Sequence, residues 1–227
     1  MSPWREWRRR RALRQCRLPA QRQALGVPLP SPSTPFERLP AVALDFETTG
    51  LDPAHDQVLS AGWVPIEGGR LCMGGAREVR VRPRGEGGVG QSATIHGLLD
   101  SDLAGAADER ALLEELLPAL AGRAIVAHAA GIERGFLRAL LRRHGGVPLP
   151  NPFIDTLAIA RTLLAGSDPG PADAGGLLTL AAARARHGLP PHSQHSAVAD
   201  AMACAELLLA QVEAMGGGAR VCLRDLD

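Results

Sequence analysis

Asp45 and Glu47 stand two residues apart at the end of an apolar run, Ala41-Val42-Ala43-Leu44. On an extended strand, positions i and i+2 project from one face, so both carboxylates aim at one spot while Phe46 turns the other way. Two like charges held side by side repel unless a cation lies between them. An all-oxygen ligand set favours a hard ion such as magnesium or manganese. Thr48-Thr49-Gly50 then ends the run in a turn, with hydroxyls and backbone N–H groups close enough to the carboxylates to hold a substrate. The pair alone fits a solvated strand end equally well. The rest of the chain decides between the two.

Three further stretches supply what such a site needs. Residues 124–127 read as a short apolar strand feeding a helix whose first turn carries Glu133, a place where the helix dipole suits an acid. Ile154-Asp155-Thr156 is a second junction of strand and helix. His195 and Asp200 lie five apart at the start of the last long helix, so a histidine at the loop end can reach the same place. Asp155 reads as a helix N-cap before it reads as a ligand, and His128 as a structural hydrogen-bonder before a base. His55, His144, His187 and His192 have no motif around them and read as surface residues.

Those residues need a frame. After the first strand, residues 57–66 read as a second, Gly68-Gly69 as a tight turn, and residues 70–81 as one or two more, so the sheet opens as an antiparallel meander. Leucines at helical spacing predict a helix over 108–120 with Asp108 as its N-cap. Further helices are expected over 131–144, closed by Gly145-Gly146, then over 155–164, 177–187 and 196–215. Glycine-rich stretches at 85–90 and 166–176 read as loops, the first lacking the lysine of a phosphate-binding P-loop. Strands first, then strands alternating with helices, give an α/β fold with a mixed sheet flanked by helices.

The chain has 227 residues, enough for one sizeable core. No apolar run is long enough to span a bilayer, and no apolar segment follows the basic N-terminus as a secretory signal would require. Four scattered cysteines form no C-x-x-C pair and read as reduced thiols, which places the protein in the cytoplasm. A net charge of +1 hides an asymmetry: residues 1–22 hold eight arginines and one glutamate, a net +7, which leaves residues 23–227 at −6. The expected division is a basic arm at 1–22, a proline-rich linker at 23–39, a domain at 40–215 and a tail at 216–227. The arm is read either as an attraction for nucleic-acid phosphates or as an extension that packs its tryptophans on the domain or a partner.

In order, the chain shows D-x-E-T-T-G from Asp45, V-A-H-x-A-x-x-acid-x-x-F-L from Val126, D-T at Asp155 and H-x-A-x-x-D from His195. This order resembles the DEDD superfamily of 3′→5′ exonucleases. The His-to-Asp spacing is similar to its histidine-containing (DEDDh) branch, which includes the proofreading epsilon subunit of bacterial DNA polymerase III, ribonuclease T and oligoribonuclease. The resemblance implies a ribonuclease H-like fold and two divalent metal ions, Mg2+ or Mn2+, held by Asp45, Glu47, Glu133 and Asp200. It implies His195 as general base, Thr48, Thr49, Gly50 and Leu51 as contacts to the terminal nucleotide, and His96 of an I-H-G segment as a further substrate contact. It also implies release of nucleoside 5′-monophosphates from single-stranded or frayed 3′ ends, with DNA favoured over RNA and a DNA polymerase or repair assembly as partner. An RNA-trimming enzyme of the same family and a binding module with weakened catalysis remain as alternatives. Two positions depart from the family pattern: Glu133 stands where aspartate is usual, and Ala129 where asparagine usually follows the histidine.

Overall fold

The computed structural model describes residues 3–84, 105–165, 178–193 and 196–227. His96, His195 and the two glycine-rich stretches lie outside the described residues.

Six strands form one sheet. β1 (Ala41–Thr48) pairs antiparallel with β2 (Val58–Glu67), and β2 turns back at Gly68-Gly69, both at positive φ, into β3 (Arg70–Leu71). β4 (Arg77–Arg80) also pairs with β2, so the one or two strands expected over 70–81 are two, separated by the turn at Met73–Gly75. On the other side of β1 lie β5 (Ala124–Ala127) and then β6 (Phe153–Asp155), both parallel. The mixed sheet is therefore the one the residue pattern predicts.

Alternation along β1 divides the core. Val42, Leu44 and Phe46 join the cluster beneath α3 (Glu109–Leu120) and α4 (Gly131–Arg143), while Ala41 and Ala43 join the cluster beneath α7 (Ala197–Ala214). Asp108 caps α3 by accepting from the Ala111 N–H at 2.8 Å, as its position predicts. Two shorter helices complete that side, α5 (Thr156–Ala165) and α6 (Leu180–Arg186).

The first forty residues are more tightly built than their composition suggests. They form α1 (Pro3–Gln15) and α2 (Pro19–Gly26), and α2 straddles the expected boundary between arm and linker. Ala12, Cys16, Leu18 and Leu25 are buried in the same cluster as the α3 leucines. The proline-rich stretch is extended but held: Thr34 and Pro32 carbonyls accept from Leu223 and Arg224, and the Phe36 N–H donates to Val221. Proline has no N–H to give, yet its carbonyl still accepts, so the stretch pairs with the C-terminal tail.

Candidate active site

The site lies where β1 ends. In the cross-strand register, Asp45 of β1 faces Gly62 of β2, and Gly62 faces Glu78 of β4. Three residues in one row share a face of the sheet, and the middle one has no side chain. A Cβ at Gly62 would meet the backbone of Ala197 at 2.0 Å. Only glycine lets the N-terminus of α7 settle into the gap between the two carboxylates. Ser196, the N-cap of α7, then donates its hydroxyl to Glu78 Oε2 at 2.9 Å, and buried Ser60 donates to Glu78 Oε1 at 2.9 Å. This seating brings Asp200, on the first turn of α7, over the end of β1.

Asp45, Glu47 and Asp200 each present a carboxylate oxygen within 4.8 Å of the others. Glu133, on the first turn of α4, does not join this closest set, but its charge bears on Asp45. Burial, followed by the charges of Glu133, Asp200, Glu47 and Glu78, holds the Asp45 carboxyl well above the usual range. Burial and then Asp200 push Glu47 up to about 7. Burial, with a contribution from Asp155, pushes Glu133 to about 8. Glu133 is 4 % exposed and its Oε2 has no hydrogen-bond partner. A buried carboxylate oxygen without a donor, near three converging carboxylates of which Asp45 and Glu47 are held above their usual range, is the environment a divalent cation would relieve. The donor set, all oxygen, fits a hard divalent ion.

The other expected residues are placed as follows. Thr48 is buried and donates to the Gly50 carbonyl at 2.6 Å, and Thr49 donates to Asp56 at 3.1 Å, so both hydroxyls brace the turn after β1. Leu51 projects from that turn and is 75 % exposed. Asp155 accepts from the N–H groups of Ala129, Ala130 and Leu157, which makes it the cap of α5 and the anchor of the β5–α4 turn. His128 uses both ring nitrogens, Nδ1 with Thr156 Oγ1 at 2.9 Å and Nε2 with the Leu178 carbonyl at 2.8 Å, and burial lowers its basicity. Both are structural, as their positions suggest.

Sequence reasoning passes over Glu78, Gly62 and His192. His192 is expected at the surface, but its ring is largely buried, with Nε2 at 2.8 Å from Asp200 Oδ1. Asp45, His128, His192 and Asp200 line one cavity of about 470 Å³. A lone glycine inside a strand is the one available signal for Gly62. Glu78 and His192 have none, because their roles follow from register and from where a loop lies.

The sequence matches the exonuclease family RNase_T over residues 42–208. It is 32% identical over 186 residues to a PolC-type DNA polymerase III of Thermotoga petrophila, covering 79% of this chain and 12% of that protein. The chain thus spans only a small part of the length of that relative. Among solved structures, the fold is similar to exonuclease I of E. coli in complex with a 5cy-dT13 oligonucleotide, at a TM-score of 0.65 and 17% identity over 79% of this chain and 41% of that one. It is also similar to exonuclease X in complex with 5′ overhanging duplex DNA, at a TM-score of 0.58 and 22% identity over 79% of this chain and 95% of that one. With the family match running from the carboxylates of β1 to the middle of α7, the chain belongs to the exonuclease family of the DEDD superfamily.

Proposed function

We propose that this chain removes nucleotides from the 3′ end of single-stranded or frayed DNA, releasing nucleoside 5′-monophosphates. The observation that carries the reading is the convergence of Asp45, Glu47 and Asp200, from two separate elements, within 4.8 Å in a chain of this family. Asp45, Glu47 and Asp200 would hold a divalent cation, Mg2+ or Mn2+, and Glu133 would help to hold a second. When bound, such ions supply Lewis acidity and charge neutralisation at the scissile phosphate.

The chain's own residues do the rest. His195, five residues before Asp200, takes the proton of the attacking water, which a neutral imidazole can do near pH ~7. Glu78, through Ser196, fixes the start of α7 and therefore the place of Asp200. Exposed Leu51 offers an apolar edge to the terminal base. His96 adds a contact to the strand. DNA is favoured because the relatives are DNA polymerases and the similar structures carry DNA. A polymerase or repair assembly is the partner class the same relatives support.

The test uses single-stranded DNA and RNA of one sequence, labelled at either end, with manganese, magnesium or EDTA. The expected outcome is metal-dependent shortening from the 3′ end of DNA, lost by on the order of 10³-fold in Asp45→Ala. Preferential shortening of RNA would replace the DNA reading with the RNA-trimming one. Binding without cleavage of either strand would leave a binding module.

A further inference from the structure

α1 lies outside the span matched by the exonuclease family, yet it is not loose. Its first turns lie beside α4 and the segment leading into β6, enclosing a crevice of about 260 Å³. Four arginines line it, Arg5 and Arg8 from α1 and Arg134 and Arg138 from α4. The one acid in that lining, Asp227, pairs with Arg5. Two of the guanidinium groups already lie on rings, Arg8 over Trp4 at 4.7 Å and Arg134 over Phe153 at 4.6 Å. Trp4 is 61 % exposed, so much of its indole is open to a second stacking partner.

We propose that this crevice is a second nucleic-acid site, which grips the single strand upstream of the 3′ end held at the carboxylates. This rests on the nuclease reading and adds to it a place for the rest of the strand. Arginine forks match phosphate oxygens, and guanidinium and indole faces stack on bases without regard to sequence. The crevice is smaller than the roughly 300–1,000 Å³ of pockets that enclose a drug-sized ligand, which suits a strand that crosses it. Charge gives the crevice its purpose. The acidic site repels a polyanion, and residues 23–227 are net −6, so attraction has to come from a concentrated basic surface. Geometry allows the link. α4 carries Glu133 at the site and Arg134 and Arg138 at the crevice, and a helix advances only about 1.5 Å per residue.

The experiment measures binding apart from cleavage, using a 5′-labelled oligothymidylate and fluorescence anisotropy in EDTA over a series of salt concentrations. The full chain is compared with Arg8→Ala/Arg138→Ala and with Asp227→Asn, and thermal melting checks that each folds. The double variant should bind about ten-fold more weakly, with a log–log salt slope flatter by about 1.4, or about 0.7 for each arginine–phosphate pair removed. Asp227→Asn, which releases Arg5 from its pair, should bind more tightly. The proposal is overturned if a double variant that melts like the unaltered chain keeps both affinity and slope. It is equally overturned if Asp227→Asn gains nothing, or if the unaltered chain shows no binding in EDTA at low salt. Manganese-dependent shortening of the same oligonucleotide by the unaltered chain tests the nuclease reading separately.

Discussion

The end of β1 and the seat of the N-terminal helices are both built from buried polar groups, but they resolve them in opposite ways. At the end of β1, Asp45, Glu47 and Asp200 converge, the charge of Glu133 bears on Asp45, and Glu133 Oε2 is left without a donor. At the seat of α2, Gln21 is fully buried and its carboxamide is used at both ends. Its nitrogen donates to the Val147 carbonyl, and its oxygen accepts from the Val147 N–H at 2.9 Å and from the Cys16 thiol at 2.9 Å. One region satisfies its buried carboxamide within the chain, and the other keeps a buried carboxylate oxygen with no hydrogen bond. Strain is kept where chemistry is expected and absent where the chain is merely fastened.

The sharpest way to probe that contrast is to supply the missing charge. Glu47 at about 7 and Glu133 at about 8 stay protonated in the fold after an unfolded carboxyl, with an ordinary value of 4.5, has ionised. The folded state therefore binds more protons than the unfolded chain across that window. Stability is greatest below it and falls as pH rises from about 4.5 towards 8. In EDTA, the melting temperature should drop between about pH 5 and pH 8. Manganese at about one hundred times its dissociation constant at pH ~8 should restore about 2.7 kcal/mol there, and the same concentration should restore less at pH ~5, where more protons must be displaced. Equal melting at both pH values, with no response to manganese, would remove the claim that these carboxylates are held in conflict.

The opposite operation breaks the region that is already complete. Gln21→Ala leaves the N–H and carbonyl of partly buried Val147 without that partner and takes from the Cys16 thiol the nearer of its two acceptors. A buried backbone group deprived of its hydrogen bond costs about 1–3 kcal/mol, so the variant should lose about 2 kcal/mol by urea denaturation. A loss below about 0.5 kcal/mol would mean that α2 is an attachment and not part of the core.

These two regions also differ in how far the residues alone disclose them. The alternation Asp45-Phe46-Glu47 is local, and a period of two tells which side chains share a face. Glu133 and Asp200 follow from the order of the motifs, because each stands at the start of a helix. Gln21 gives no such sign. A glutamine in a short, arginine-flanked helix looks like a surface residue until the partner, 126 residues away, is known. The same holds for Glu78 and His192, whose partners Ser196 and Asp200 are the N-cap and first turn of α7. The proline-rich stretch is legible as extended but not as held, since the donors to its Pro32 and Thr34 carbonyls lie far along the chain, in the tail.

Ala129 offers the finest test, because it is a departure from the family pattern with a backbone reason. It is the one residue other than glycine at positive φ, 64°, among the described residues. The conformation lets its N–H and that of Ala130 both point at the Asp155 carboxylate, at 3.0 and 3.1 Å, which sets the turn that delivers Glu133. An L-residue there has its Cβ close to its own carbonyl oxygen, at about 1–2 kcal/mol, and asparagine tolerates the region better than alanine. Asparagine, the residue usual in the family at this place, thus suits the backbone before any contact it makes through its side chain. Ala129→Asn should raise stability by up to about 1 kcal/mol in a denaturant titration, since part of that local strain is relieved. A neutral or destabilising result would show that the site absorbs its strain in charge alone, and not also in the backbone that carries the charges.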